Sequence, residues 1–335
     1  LIHALILALL VVTGWVNVWH LVILALFNGS FRTIQMSAGP ALLPNTVNKK
    51  YIFNSVALSQ AAHQGSKFTG PLMILIILWI TGMEDWVFFA SAGLYAVGLI
   101  LVLNIKTYSK GELISGPGFQ TTIQNMVAGI SYIYKNPLIL ALVLFVVAHC
   151  GLTMSFESLF PVISRDTLGM EPGAGFMAGF GYLMVAFGGP AFLTIVSIGG
   201  ISSDKLKGRL ILILGILSGI TPIILGMSTN LPMAMLAAAG MGSSQAGFMA
   251  LTQGMMQTLT PDAIRGRVMS IYSWHILGFM ATFNLINGSI TVVTPLTASL
   301  ILGLGGISFL ILTAISFSNK SMRMIYKGKY QPEIK

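Results

Sequence analysis

The chain has 335 residues, of which only 8% are charged and 55% are hydrophobic, at a mean hydropathy of +0.85. A soluble domain of this length needs a charged surface that these residues cannot supply, so a soluble globular protein is excluded. The net charge of +9 would suit nucleic acid, but the basic excess sits in short segments between apolar runs. That placement fits membrane topology and anionic lipid headgroups, and no nucleic-acid partner is expected.

Ten apolar runs follow one another, at roughly 1–17, 19–38, 54–81, 86–105, 137–160, 174–198, 209–227, 231–257, 268–290 and 295–318. Each is near the ~20 residues that cross a hydrocarbon core of ~30 Å. Every backbone amide in lipid must be bonded internally, so runs of this length form helices. A transmembrane barrel would show alternating strands of about ten residues instead. The expected fold is all-α, a polytopic transmembrane helical bundle.

Of the 18 basic residues, 15 fall in every second gap or in the tail. These are Lys49 and Lys50; Lys106, Lys110 and Lys135; Lys205, Lys207 and Arg209; Arg265 and Arg267; and Lys320, Arg323, Lys327, Lys329 and Lys335. The other set of gaps holds Arg165, while Arg32 and Lys67 lie inside runs. Loops rich in Lys and Arg stay cytoplasmic, so the basic side is expected inside.

The longest polar stretch, 106–136, reads as a cytoplasmic linker between an N-terminal half (1–105) and a six-helix C-terminal half (137–318), followed by a basic cytoplasmic tail (319–335). Apolar spacing over Phe119–Tyr134 predicts a surface helix within the linker. The halves echo each other. Leu42-Leu43-Pro44 is followed by Lys50, and Leu259-Thr260-Pro261 by Arg267, each base six residues past its proline. Parallel repeats of six spans are one transporter plan, and four runs before the linker then imply two more upstream. The chain also opens at Leu1 inside a run, so its N-terminus is expected to be truncated.

Gly200-Ile201-Ser202-Ser203-Asp204-Lys205-Leu206-Lys207-Gly208-Arg209 resembles the loop signature of the major facilitator superfamily, with one extra residue between Lys205 and Gly208. Further segments resemble that family's enterobactin-exporter and macrolide-efflux branch, the transmembrane secretion effectors. They are Ala41–Pro44 with Asn54-Ser55, Lys67–Pro71, Phe160–Gly169, and above all Pro261-Asp262-Ala263-Ile264-Arg265-Gly266-Arg267-Val268-Met269-Ser270. The resemblance covers essentially the whole chain. It implies a twelve-helix plan of which about ten spans, helices three to twelve, are present. It also implies an exporter driven by the proton gradient that rocks two halves about a central cavity, and it needs no cofactor.

Lys67 is the sharpest candidate, for substrate binding, coupling or a structural pair, because a cation within a span should face the bundle interior, a cavity or a carboxylate. The alternative is snorkelling to a headgroup region. Arg32, with Gln35 one turn on, is a second candidate with the same alternative. Glu157 reads as the acid lying within a run, and a partly buried carboxylate can trade a proton at useful pH. His149 lies eight residues earlier on a neighbouring part of the same helix face, as a possible relay partner, against the alternative of a packing histidine. His63 and His275 are weaker versions of that idea. By the resemblance, Gly65, Gly70 and Pro71 are packing and gating elements of a fifth helix. Gly200, Asp204, Lys205, Gly208, Arg209, Asp262, Arg265 and Arg267 form the cytoplasmic gate, with Asp204 capping a helix or pairing with a neighbouring base. Gly240, Gly242, Ser243, Ser244, Gln245 and Gly247 make a small polar face suited to close packing or a cavity wall.

Enzyme chemistry leaves no signature. There is no phosphate-binding G-x-x-x-x-G-K-[ST] loop and no H-E-x-x-H, and Cys150 is the one cysteine, so no metal site is expected. The expected function is export of a small amphiphilic molecule, a siderophore, macrolide or other drug-like compound, by proton antiport across the bacterial inner membrane. An uptake carrier of the same class, a membrane-embedded transferase and a non-transporting receptor are the rivals. The expected partners are the small-molecule substrate and the lipid bilayer.

Overall fold

The structure is a computed structural model. It describes the chain except residues 47–51, 105–118, 157, 171–173, 200, 202, 294–295 and 330–335, and except some side chains within 33–67, 119–125, 174–176 and 262–263. Among the described residues there are thirteen helices and no strand. They are α1 Ile2–Val12, α2 Val18–Thr46, α3 Ile52–Thr81, α4 Asp85–Leu103, α5 Phe119–Lys135, α6 Pro137–Leu152, α7 Phe160–Asp166, α8 Ala174–Ile198, α9 Asp204–Gly226, α10 Leu231–Leu259, α11 Asp262–Val293, α12 Ala298–Ser316 and α13 Lys320–Tyr326. All ten apolar runs carry a helix, and α5 is the helix predicted over Phe119–Tyr134.

Among the described residues, five helices are long and apolar enough to cross a membrane: α4, Met177–Ile198 within α8, α9, Ile264–Val293 within α11, and α12. A sixth is reached if Met126–Lys135 and Pro137–Leu152, bent by 102° at Asn136, count as one broken span. The remaining runs fall short for local reasons. The first helix has 11 residues and is followed by Gly14 in the left-handed region (φ +70°), which only glycine adopts readily. The 29 residues of α10 include Gly, Ser, Gln and Thr, which dilute its apolar character. Parts of α2 and α3 lie outside the described side chains.

The chain divides into two compact units, Leu1–Leu113 with Pro172–Ala178, and Ile114–Glu171 with Gly179–Lys335. In the first, α1 packs on α4, and the buried residues of the two helices are Ala4, Ala8, Val87 and Ala92. Small side chains let helices approach in lipid, where no hydrophobic force drives them together.

In the second unit α9 is central and packs on α10, α12 and α13, while α6 packs on α11, α12 and α5. At Gly242 on α10 the Phe187 carbonyl of α8 stands so close that a Cβ would collide with backbone. Two apolar clusters fill this unit. One holds Phe145, Val146, Cys150, Ile211, Phe248, Leu251, Tyr272 and Phe309. The other holds Phe156, Phe160, Leu183, Phe187, Leu225, Ala238, Met241 and Leu302. Between them on every helix that contributes to both comes a stretch with small or polar residues, including Thr153 and Ser155 after α6, Ser218 on α9, and Ser244 and Gln245 on α10. All five are buried. Gln245 stands at the middle of α10, so this polar layer lies midway along the bundle.

Candidate functional site

The layer is built around a break in a helix. The run 137–160 reads as one continuous span, but α6 stops at Leu152 and α7 starts at Phe160. The local residues explain the break. Ser and Thr hydroxyls compete for backbone carbonyls and weaken a helix from within. Thr153 Oγ1 donates to the His149 carbonyl at 2.9 Å, and Ser155 Oγ donates to the Gly151 carbonyl. Pro161 then stands in the first turn of α7, where its missing N–H costs nothing.

A broken helix in a membrane must find partners for its released backbone groups. Three side-chain amides supply them. Gln245 Nε2 on α10 donates to the Thr153 carbonyl at 2.8 Å. Asn287 Nδ2 on α11 donates to the Ser155 carbonyl at 2.8 Å and to Ser155 Oγ at 3.0 Å. The Ser158 N–H donates to Asn284 Oδ1 at 3.3 Å. Asn284 and Asn287 are three residues apart, so they stand on one face of α11.

His149 lies at the inner edge of this break and is fully buried. Its ring is 4.2 Å from Phe248 and 5.0 Å from Phe309, centroid to centroid. Nε2 and Ser218 Oγ share a hydrogen bond of 2.7 Å, and Ser218 Oγ is 3.3 Å from Thr153 Oγ1. Counting hydrogens assigns the roles. The single Thr153 hydroxyl hydrogen goes to the His149 carbonyl, so Ser218 donates to Thr153 and His149 Nε2–H donates to Ser218. Nδ1 is then the bare lone pair of a neutral ring. Neither His149 Nδ1 nor Gln245 Oε1 has a partner, and both are buried. A buried acceptor without a donor costs about 1–3 kcal/mol. Two such acceptors stand in this one layer.

The family described as transmembrane secretion effector matches residues 1–329. The chain belongs to that family. It is therefore a multi-pass membrane protein of the major facilitator type, among secondary transporters and secretion effectors. Comparison with curated proteins gave no match. The expectation that two helices precede Leu1 draws no support from the family match.

Within this secretion effector the basic loops of the second unit collect at one end, where α9 and α11 begin and α10 and α12 end. Gly200 lies outside the described residues. The capping residue of α9 is Ser203, whose Oγ accepts from the Leu206 N–H at 3.4 Å, and not Asp204. Asp204 is the first helical residue, with its carboxylate 3.5 Å from Lys207 Nζ, the alternative of pairing with a base. Lys205 and Arg209 are exposed. Gly208 is buried beneath α13, because the Ile325 carbonyl occupies the place a Cβ would take. Arg265 donates to the Gln257 carbonyl at 2.9 Å and to the Thr260 carbonyl at 3.2 Å, which neutralises the exposed carbonyl end of α10. Arg267 is exposed, and the side chain of Asp262 lies outside the described residues.

The remaining candidates are not brought to the polar layer by any described contact. Lys67 and His63 lie in α3 with side chains outside the described residues, and Glu157 lies outside them altogether. Arg32 in α2 is exposed. At Gly65 and Gly70 no described atom comes within 4 Å of a built Cβ, and Pro71 sits inside α3. His275 Nδ1 contacts the Ile271 carbonyl of its own helix at 2.8 Å. α6, which carries His149, ends at Leu152, and the expected relay partner Glu157 lies outside the described residues. Ser218, Asn284 and Asn287 went unnominated. The signal that could have found the two asparagines is their spacing of three within a membrane-length run.

Proposed function

We propose that this secretion effector exports a small amphiphilic molecule from bacteria across the inner membrane by proton antiport and alternating access, with its basic loops in the cytoplasm and no cofactor beyond the proton gradient. The observation that supports the reading most directly is the buried acceptor His149 Nδ1 beside a broken helix in the middle of the second unit. Transporter sites for substrate and coupling ion are typically built near the midplane from discontinuous helices. A proton arriving at Nδ1 makes a cation whose ring centroid is 4.2 Å from that of Phe248, close enough for the aromatic ring to attract it. The same proton gives the ring a second N–H, a donor of the kind that Gln245 Oε1 lacks. The amides on Thr153, Ser155 and Ser158 hold the break open while the charge comes and goes. Glu157, and Lys67 and Arg32 in the first unit, are the further groups assigned to proton and substrate handling. The Met and Phe content suits a pliable apolar cavity for a drug-like substrate.

The test uses the full chain in proteoliposomes carrying an imposed pH gradient. Addition of a macrolide or a catecholate siderophore is expected to dissipate the gradient in proportion to transport. Transport of these compounds without proton movement would remove antiport. Proton-linked movement only in the inward direction would favour an uptake carrier.

A further inference from the structure

At the basic end of the second unit, away from the polar layer, a cavity of about 530 Å³ opens between the ends of α8 and α10. Its floor and walls are apolar, from Ile195, Ile198, Leu251 and Met255, and its rim carries Lys207 from α9 and Arg265 from α11. The carbonyl bonds of Arg265 to Gln257 and Thr260 fix its guanidinium in the wall. Lys207 is partly exposed, and its pairing with Asp204 is a surface contact of a kind worth little, so an incoming anion can compete for it. The described lining residues include no carboxylate, and that of Asp204 stands beside Lys207. The volume lies within the range of small-molecule sites.

We propose that this cavity binds the headgroup of an anionic phospholipid, with the phosphate between Lys207 and Arg265 and the glycerol and first methylenes along Ile195, Ile198 and Leu251. Charge complementarity selects a phosphate. The apolar wall, continuous with the span Met177–Ile198, selects a lipid over a free ion. The site stands whether or not the chain is an exporter.

The test measures retention of phosphatidylglycerol by the purified full chain in native mass spectrometry, against phosphatidylcholine and inorganic phosphate. Phosphatidylglycerol is expected to bind in preference to phosphatidylcholine and to resist displacement by inorganic phosphate. Lys207→Gln should weaken it about fivefold, the worth of one cation near a lipid surface. Gly254→Leu keeps both cations and has open space for its side chain at the cavity wall, so it should also lower retention. Equal retention of the two lipids, or unchanged retention in both variants, would overturn the proposal. Full displacement by inorganic phosphate would overturn it in favour of a simple ion site.

Discussion

Gln245 reaches across 92 positions of sequence to donate its Nε2–H to the backbone carbonyl of Thr153 at 2.8 Å. The bond joins the middle of α10 to the first residue beyond α6. It thus satisfies a carbonyl released where the membrane helix breaks. The oxygen of the same amide, Oε1, is buried without a partner.

Gln245→Leu removes the donor and strands the Thr153 carbonyl in an apolar layer. The expected cost is about 1–2 kcal/mol, because interhelical hydrogen bonds in membranes are modest but an unmet buried carbonyl is not. Thermal unfolding in detergent measures it. An unchanged Tm would show that the carbonyl finds another donor.

On α11, Asn287 makes two bonds of 2.8 and 3.0 Å to Ser155, whereas Asn284 accepts one of 3.3 Å from Ser158. Asn287→Ala is therefore expected to destabilise the protein more than Asn284→Ala. Comparing the two Tm shifts at equal expression checks the order, and a reversed order would contradict the account of the break.

Much of the helical plan was readable from residues. In lipid, apolar length translates directly into helix, and the polar-apolar spacing of Phe119–Tyr134 reported the edge of α5 to within a residue. The break after Leu152 was not seen, although Thr153, Ser155 and Pro161 all signal it. Averaged hydropathy hides Thr153 and Ser155 inside a long apolar run, and Pro161 stands just past its end. The polar layer was hidden for a different reason. His149, Ser218, Gln245 and Asn287 lie on four helices, and nothing local says that packing will bring them to one depth. The cap of α9 shows the same limit at small scale, since Ser203 and Asp204 are adjacent residues and both are capping types.

Gly208 is a packing requirement of the basic end. A methyl group there would meet the Ile325 backbone carbonyl, which cannot rotate away as a side chain can. Gly208→Ala is expected to lift α13 from α9, read as faster tryptic cleavage at Lys320 and Arg323. Cleavage at the wild-type rate would mean that α13 shifts without undocking.

One ion pair gives a pH signature away from the spans. Arg165 Nε donates to Asp166 Oδ1 at 2.6 Å and holds that carboxyl below the usual carboxylate range. A lowered folded pKa stabilises above the unfolded value of about 3.9 and is lost as pH falls through the folded one. The pair is largely exposed, so the effect is small. The wild type should unfold slightly later than Asp166→Asn at neutral pH, and the difference should vanish in acid. A gap that persists in acid would assign Asp166 a role other than this pair.

The most direct test of the central claim compares the wild type with His149→Gln in proteoliposomes. Gradient-driven accumulation is measured beside substrate exchange without a gradient. Glutamine keeps a polar side chain beside Ser218 but has no proton to trade. The account predicts that His149→Gln exchanges substrate yet loses accumulation driven by the pH gradient. Undiminished gradient-driven accumulation in the variant would contradict it.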